Sequence, residues 1–95
     1  MSELKGRILQ VCYGIRSELG ASIFAPIDVS TIRNGIESGF GREYQRGEIT
    51  NALTILVNDG YFTSSHRDKH GRVTHVTDLT EKGRSEAESL NGSTS

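Results

Sequence analysis

Residues 41–82 read GREYQRGEITNALTILVNDGYFTSSHRDKHGRVTHVTDLTEK, and this stretch decides the fold of the chain. In its first half, apolar side chains recur every three or four residues, which is the spacing of one face of a helix. They are Ile49, Ala52, Leu53, Leu56 and Val57. Gly60 then offers the left-handed conformation that commonly closes a helix. The pattern therefore predicts a helix that begins near Gln45 and ends before Gly60.

The second half of the stretch has the composition of two strands joined by a turn. Residues 61–67 and 72–77 are rich in β-branched and aromatic side chains. Between them lie Asp68, Lys69, His70 and Gly71, a four-residue connection whose glycine suits a positive φ. This pattern predicts a β-hairpin with basic side chains at and beside its tip.

Working outward, residues 1–19 are predicted to form the first helix. Its apolar stripe, repeated at three or four residues, consists of Leu4, Ile8, Val11, Cys12, Ile15 and Leu19. Cys12 is the sole cysteine, so we expect a buried thiol and no disulfide. We expect Gly14 to allow the close approach of another helix.

A connector and a short second helix are predicted next. Residues 21–27 form the connector, because Pro26 argues against helix there. Residues 22–25 would fit the short strand that a winged helix often has beside its wing. Asp28 is a good N-cap for a helix that ends at Ser38. Residues 39–41 are then a tight break that sets two helices at a large angle, with Phe40 filling the corner.

The last predicted helix follows Thr80, which is expected to cap it, and its thin apolar edge is formed by Ala87 and Leu90. Residues 1–90 are therefore expected to form a single domain, and residues 91–95 a disordered polar tail. The expected architecture is α+β, a winged helix-turn-helix with a three-helix core, a two-stranded β-hairpin wing and an additional C-terminal helix.

Two phrases of the sequence resemble those of winged helix-turn-helix transcriptional regulators of the MarR and PadR type. Residues 56–62, LVNDGYF, are similar to the order of leucine, polar residues, glycine and aromatic that ends the family's recognition helix. Residues 78–84, DLTEKGR, are similar to the leucine-threonine-x-x-glycine order that follows the wing. The resemblance covers residues 28–84 and implies a DNA-binding fold.

The predicted function is sequence-specific binding of double-stranded DNA by a transcriptional regulator. Asn, Arg and Gln side chains pair with base edges in the major groove, and basic side chains on a wing reach phosphates or the minor groove. The candidate DNA-contacting residues around the helix are Arg42, Tyr44, Gln45, Arg46, Thr50, Asn51 and Thr54. Those of the wing are Arg67, Lys69, His70 and Arg72.

The net charge of −1 does not by itself indicate a nucleic-acid binder. The basic residues of the helix and hairpin are interspersed with Glu43, Glu48, Asp59 and Asp68, so only a three-dimensional arrangement can place the cations on one face. The alternative function is therefore a winged-helix module that binds another protein and no DNA.

A metal or catalytic site is the third possibility. His66, His70 and His75 are the only histidines, but no second cysteine or carboxylate completes a recognisable ligand set. Phosphate-binding loops and serine-elbow motifs do not occur. We expect no cofactor, no metal and no enzyme activity.

The remaining expectations concern location and assembly. No apolar run reaches the length of a membrane span and the N-terminus lacks a signal-peptide pattern, which predicts a cytoplasmic protein without membrane contact. A homodimer through the first and last helices is expected, because one unit covers only a short half-site of DNA. The alternative is a complete monomer core, closed by Ile23, Phe24 and Ile27.

Overall fold

The computed structural model describes residues 3–19 and 26–92, and within these two ranges it contains four helices and three strands. In chain order they are α1 (Glu3–Leu19), β1 (Ile27–Asp28), α2 (Val29–Phe40), α3 (Arg46–Asn58), β2 (Ser65–Arg67), β3 (Val73–Val76) and α4 (Glu81–Gly92). The α+β class is as predicted. α4 extends two residues into the predicted tail, and residues 93–95 lie outside the described ranges.

α1 is the central helix, because it contacts α2, α3 and α4. Its side chains Ile8, Leu9 and Cys12 are almost completely buried. Leu9 lies outside the predicted apolar stripe and is nevertheless buried, since a helix covered by three others has more than one buried face. Burial raises the pKa of the Cys12 thiol to about 12, and the expectation of a buried thiol is confirmed.

The close approach of helices takes place at a different glycine from the one predicted. A Cβ added to Gly14 would meet no described atom within 4 Å, so the expectation for Gly14 is wrong. A Cβ at Gly35 of α2 would lie 2.6 Å from Cγ1 of Val11 in α1. The residue without a side chain at this helix contact is therefore Gly35 of α2, and it allows α1 to approach closely.

Asp28 caps α2 as predicted, since its carboxylate accepts a hydrogen bond from the amide of Thr31 at 2.7 Å. α2 continues to Phe40 instead of ending at Ser38, because the left-handed cap falls on Gly41, with φ 65°. Phe40 is therefore helical and 38% exposed, and the expectation that it fills the corner is wrong.

The sheet is antiparallel with the strand order β1–β3–β2. Val76 of β3 pairs with Ile27 on one side and with Ser65 on the other. β2 and β3 are shorter than predicted. Phe62, expected in the first strand, pairs with Leu79 only through an isolated antiparallel bridge, and the register of β2 and β3 shifts between His66 and Arg67. The strand predicted at 22–25 lies outside the described residues, and β1 occupies a position beside the hairpin.

The core joins the sheet to the helices. Ile32 and Ile36 of α2, Leu53 of α3 and Val76 of β3 are completely buried in a single apolar cluster. Burying a side chain of this size stabilises a protein by about 1.5–3 kcal/mol. No helix within residues 3–19 and 26–92 is both long and apolar enough to span a membrane.

Candidate nucleic-acid interface

α3 presents one face to the core and another to solvent. Its buried face consists of Ile49, Ala52, Leu53 and Leu56. Its exposed face consists of Gly47, Glu48, Asn51, Ile55 and Asn58, and these five residues are termed the outer face. The helix begins at Arg46 with Gln45 as N-cap, which confirms the predicted start near Gln45. Gly60 has φ 84° and follows the end of the helix, also as predicted.

Thr54 lies off the outer face, although it was expected there. Its Oγ1 donates a hydrogen bond to the carbonyl of Thr50 at 2.8 Å and accepts one from the amide of Val73 at 3.1 Å. Both threonines are half-buried beside the hairpin. The Thr54 hydroxyl is therefore occupied in joining α3 to β3.

The loop between α2 and α3 is organised around Tyr44. Its phenol oxygen accepts a hydrogen bond from Nη1 of Arg7 at 2.9 Å, and its carbonyl accepts one from Nε of Arg33 at 2.7 Å. The guanidinium of Arg42 lies 5.7 Å from the centre of the Tyr44 ring. Tyr44 thus holds the loop in place, while Arg42 and Gln45 are exposed.

Arg33 is a residue that the sequence pattern did not single out. Besides Tyr44, it contacts the carboxylate of Glu43 at 3.4 Å. It therefore holds two consecutive residues of the loop that precedes α3. A basic residue on α2 gives no local signal of this role, because its partners are 10 and 11 positions away in the chain.

The tip of the hairpin is a turn organised by Asp68. Its carboxylate accepts hydrogen bonds from the amides of His70 at 2.8 Å and Arg72 at 3.1 Å. The amide of Arg72, and with it that of His70, holds the pKa of the Asp68 carboxyl below its ordinary value. Gly71 has φ 78°, as predicted. The turn leaves Lys69, His70 and Arg72 exposed.

Arg67 connects the hairpin to the end of α3. Its Nη2 donates a hydrogen bond to Oδ1 of Asn58 at 2.8 Å, and its Nη1 donates one to the carbonyl of Gly71 at 2.9 Å. The guanidinium is therefore bound within the protein, although the side chain is exposed. The bond to Asn58 holds the hairpin beside the end of the outer face, and the bond to Gly71 lies within the hairpin.

A cavity of about 250 Å³ lies between the start of α3 and the hairpin. It is lined by Val29, Arg46, Gly47, Thr50, Asp68, Arg72 and Thr74. Arg46 also donates a hydrogen bond to Oγ of Ser30 at 3.3 Å. The fold thus brings Arg46 of α3 and Arg72 of the hairpin to one surface, and Asp68 offsets part of their positive charge.

The histidines do not form a common site. His66 and His75 are cross-strand neighbours whose ring centroids lie 6.0 Å apart, while His70 is at the tip of the hairpin. Across the part of the chain that the structure describes, no three His, Cys, Asp or Glu side chains are grouped so that they could hold a metal ion.

Ile55 belongs to the outer face but was absent from the predicted site residues. It is 42% exposed and lies one helical turn after Asn51, so the periodicity alone places the two side chains on the same face. Glu48 lies one turn before Asn51 on that face. The outer face therefore combines a carboxylate, an amide and an aliphatic side chain.

Comparison with protein-family models, curated proteins and solved structures finds no match for this chain.

Proposed function

We propose that this protein is a winged helix-turn-helix domain, similar to the MarR and PadR regulators, that binds double-stranded DNA and regulates transcription. In this proposal α3 is the recognition helix and the β2–β3 hairpin is the wing. The observation that carries the proposal is the position of the hairpin beside the outer face, held by the hydrogen bonds from Arg67 to Asn58 and from Val73 to Thr54.

The dimensions of the two elements support the proposal. An α-helix with its side chains is about 10–12 Å across and fits the major groove of B-DNA, which is about 12 Å wide. A hairpin fixed beside that helix then lies along the flanking phosphates or the next minor groove. A rigid connection between the two keeps them in register with the duplex.

The candidate residues divide into those that contact DNA and those that position them. Asn51 is central on the exposed outer face and pairs with adenine through two hydrogen bonds. Arg46, exposed at the start of α3, is the other candidate base reader. The exposed cations and donors at both ends of the interface bind phosphates: Arg42, Gln45, Lys69, His70 and Arg72. Tyr44, Thr54 and Arg67 hold the loop and hairpin through the bonds described above, and Thr50 borders the interface.

The salt dependence of DNA affinity tests the phosphate contacts. Replacing Lys69 and Arg72 together by alanine is expected to weaken binding to all duplexes similarly. The slope of log K against log salt then falls by about 0.9 for each lost phosphate contact. Arg84→Ala, an exposed cation on α4, is the control and leaves the slope unchanged. Absence of binding to any duplex at low salt contradicts the proposed function.

Base reading by α3 is tested separately from phosphate contacts. Asn51→Ala and Arg46→Ala are each expected to cost about 1–3 kcal/mol on the preferred duplex if they make a good base contact. Both side chains are exposed, so the melting temperatures stay close to that of the wild type. Unchanged affinity in both variants places the reading surface elsewhere.

A second candidate function is binding of another protein by the same surface. The carboxylate of Glu48 and the 42% exposed Ile55 favour it, because neither attracts a phosphate backbone. A protein partner that buries Ile55 gives affinity with little dependence on salt. Binding that is steeply salt-dependent for duplexes, with a slope near the number of phosphates contacted, supports the DNA-binding function instead.

We also propose that the working species is a homodimer through α1 and α4, since two half-sites about one helical turn apart multiply specificity. Ile8 is fully buried within one protomer and belongs to the monomer core, whereas Ile15 is only partly buried. Ile15→Glu is therefore the informative variant. Light scattering is expected to give twice the chain mass for the wild type and one chain mass for the variant, and a monomeric wild type contradicts the dimer.

A further inference from the structure

We propose that Ile55 contacts the 5-methyl group of a thymine in the DNA site, and that this contact contributes to sequence selectivity. The inference rests on the DNA-binding function proposed above. It assigns a base-reading role to an apolar side chain beside the polar reader Asn51.

The first observation is that Ile55 is exposed although α3 has a complete buried face. Ile49, Leu53 and Leu56 are fully buried, while Ile55 is 42% exposed. Phe40 of α2 is the other large apolar side chain that is exposed among the described residues. Ile55 belongs neither to the buried apolar cluster nor to the partly buried side chains packed against it, and its free surface points away from the core.

The second observation is its position relative to Asn51 and Asn58. Ile55 follows Asn51 by one helical turn and precedes Asn58 by one, so it lies between these two residues on the outer face. Arg67 binds Asn58 at the far end of that face, next to the hairpin. If the outer face of α3 lies in the major groove, Ile55 is directed at the base edges next to the base that Asn51 reads.

The chemistry of the groove then identifies the ligand. An aliphatic side chain makes no hydrogen bond, and among the four bases only thymine presents a methyl group in the major groove. The five residues of the outer face include neither Arg nor Lys, the usual partners of guanine. Asn51 pairs with adenine, so the outer face favours a site in which thymine lies close to adenine.

The experiment begins with selection of duplexes from a random pool by the wild-type protein. Each thymine of the selected site is then replaced singly by deoxyuridine, which removes only the methyl group. At one position the wild-type affinity is expected to fall about fourfold, as burial of one methyl group predicts. Ile55→Ala is expected to bind the thymine and uracil duplexes equally, and Phe40→Ala to keep the fourfold difference.

The outcomes separate this inference from the proposed function. If no replacement of thymine weakens the wild type, or if Ile55→Ala still discriminates thymine from uracil, the inference is overturned and DNA binding stands. If no duplex is enriched and no salt-dependent binding is found, both are overturned. Thermal melts of Ile55→Ala and Phe40→Ala are expected to show that the fold is retained, because each change shortens an exposed side chain.

Discussion

The hydroxyl of Thr54 links α3 to the hairpin by accepting a hydrogen bond from the amide of Val73 at 3.1 Å. The same hydroxyl donates a hydrogen bond to the carbonyl of Thr50, so it acts as donor and acceptor at once. Because Val73 is completely buried, its amide has no solvent to replace this partner. Together with the bond from Arg67 to Asn58, this bond fixes the orientation of the hairpin relative to α3.

Thr54→Val keeps the shape of the side chain and removes the acceptor. The variant is expected to unfold at lower urea concentration, with a loss of about 1–3 kcal/mol, because the Val73 amide is left unsatisfied. Thr50→Val is the matched control on the preceding turn and is expected to change stability by less than half as much. Equal effects of the two changes would contradict the role assigned to Thr54.

Gly83→Ala is expected to destabilise the fold by about 1–3 kcal/mol, as overpacking does. A Cβ at this position meets the backbone carbonyl oxygen of Tyr61, so the start of α4 has to move. Gly14→Ala, also within a helix but in open space, is expected to stabilise by up to about 1 kcal/mol. Thermal melts of the two variants should therefore shift in opposite directions, and shifts of the same sign would refute this account.

Glu48→Gln is expected to increase the affinity for duplexes of random sequence. The carboxylate lies on the outer face, and removing it relieves repulsion from phosphates by up to about 1 kcal/mol, or roughly fivefold at low salt. Glu81→Gln makes the same charge change on α4 and is expected to have no effect. A Glu48→Gln protein with unaltered affinity would place the outer face away from DNA.

The N-cap of α2 is expected to make stability depend on pH. The amide of Thr31 holds the pKa of the Asp28 carboxyl below its ordinary value, so the ionised form stabilises the folded state. This contribution is present above the unfolded-state pKa, about 3.9, and is lost as the pH falls through the lower folded-state value.

Asp28→Ala is therefore expected to lose about 1 kcal/mol at neutral pH and less in acid. Asp28→Asn keeps an acceptor oxygen without a charge, so it is the control and should retain most of the stability at neutral pH. Urea titrations between neutral pH and pH 3 measure both. A difference between wild type and Asp28→Ala that grows in acid has the wrong sign for this cap.

Cys12 is expected to resist alkylation in the folded protein. Its thiol is buried and its pKa is raised to about 12, so the reactive thiolate is scarce at pH 8. Iodoacetamide should modify the thiol quickly in urea and slowly in native buffer, and mass spectrometry of the alkylated protein measures both rates. Rapid stoichiometric labelling of the native protein would contradict its place in the core.

Local chemistry made several elements predictable from the sequence. The cap at Asp28, the start of α3 near Gln45 and the positive φ values of Gly60 and Gly71 follow from interactions within a few residues. The buried face of α3 follows from its periodicity, because a helix repeats every 3.6 residues wherever it packs. These features need no knowledge of what lies across the fold.

The end of α2 and its contact with α1 did not follow from the apolar periodicity. Phe40 lies on the helix and is exposed because the left-handed cap falls at Gly41, and α1 approaches α2 at Gly35 because Val11 occupies the space there. Each alternative was compatible with the local pattern. The left-handed cap at Gly41 ended α2, whereas packing between helices decided that Gly35, and not Gly14, faces its neighbour.

The side chains proposed to contact DNA were identified by type, whereas their availability was decided by tertiary structure. Asn51 is exposed as its position in the helix predicts, but Thr54 is drawn to Val73 and Arg67 to Asn58. Helical periodicity predicts the direction in which a side chain leaves its own helix. It does not predict contacts with a hairpin that packs beside that helix. The hydrogen bonds between partners 9 and 19 residues apart are therefore decided by the tertiary structure and not by the local sequence pattern.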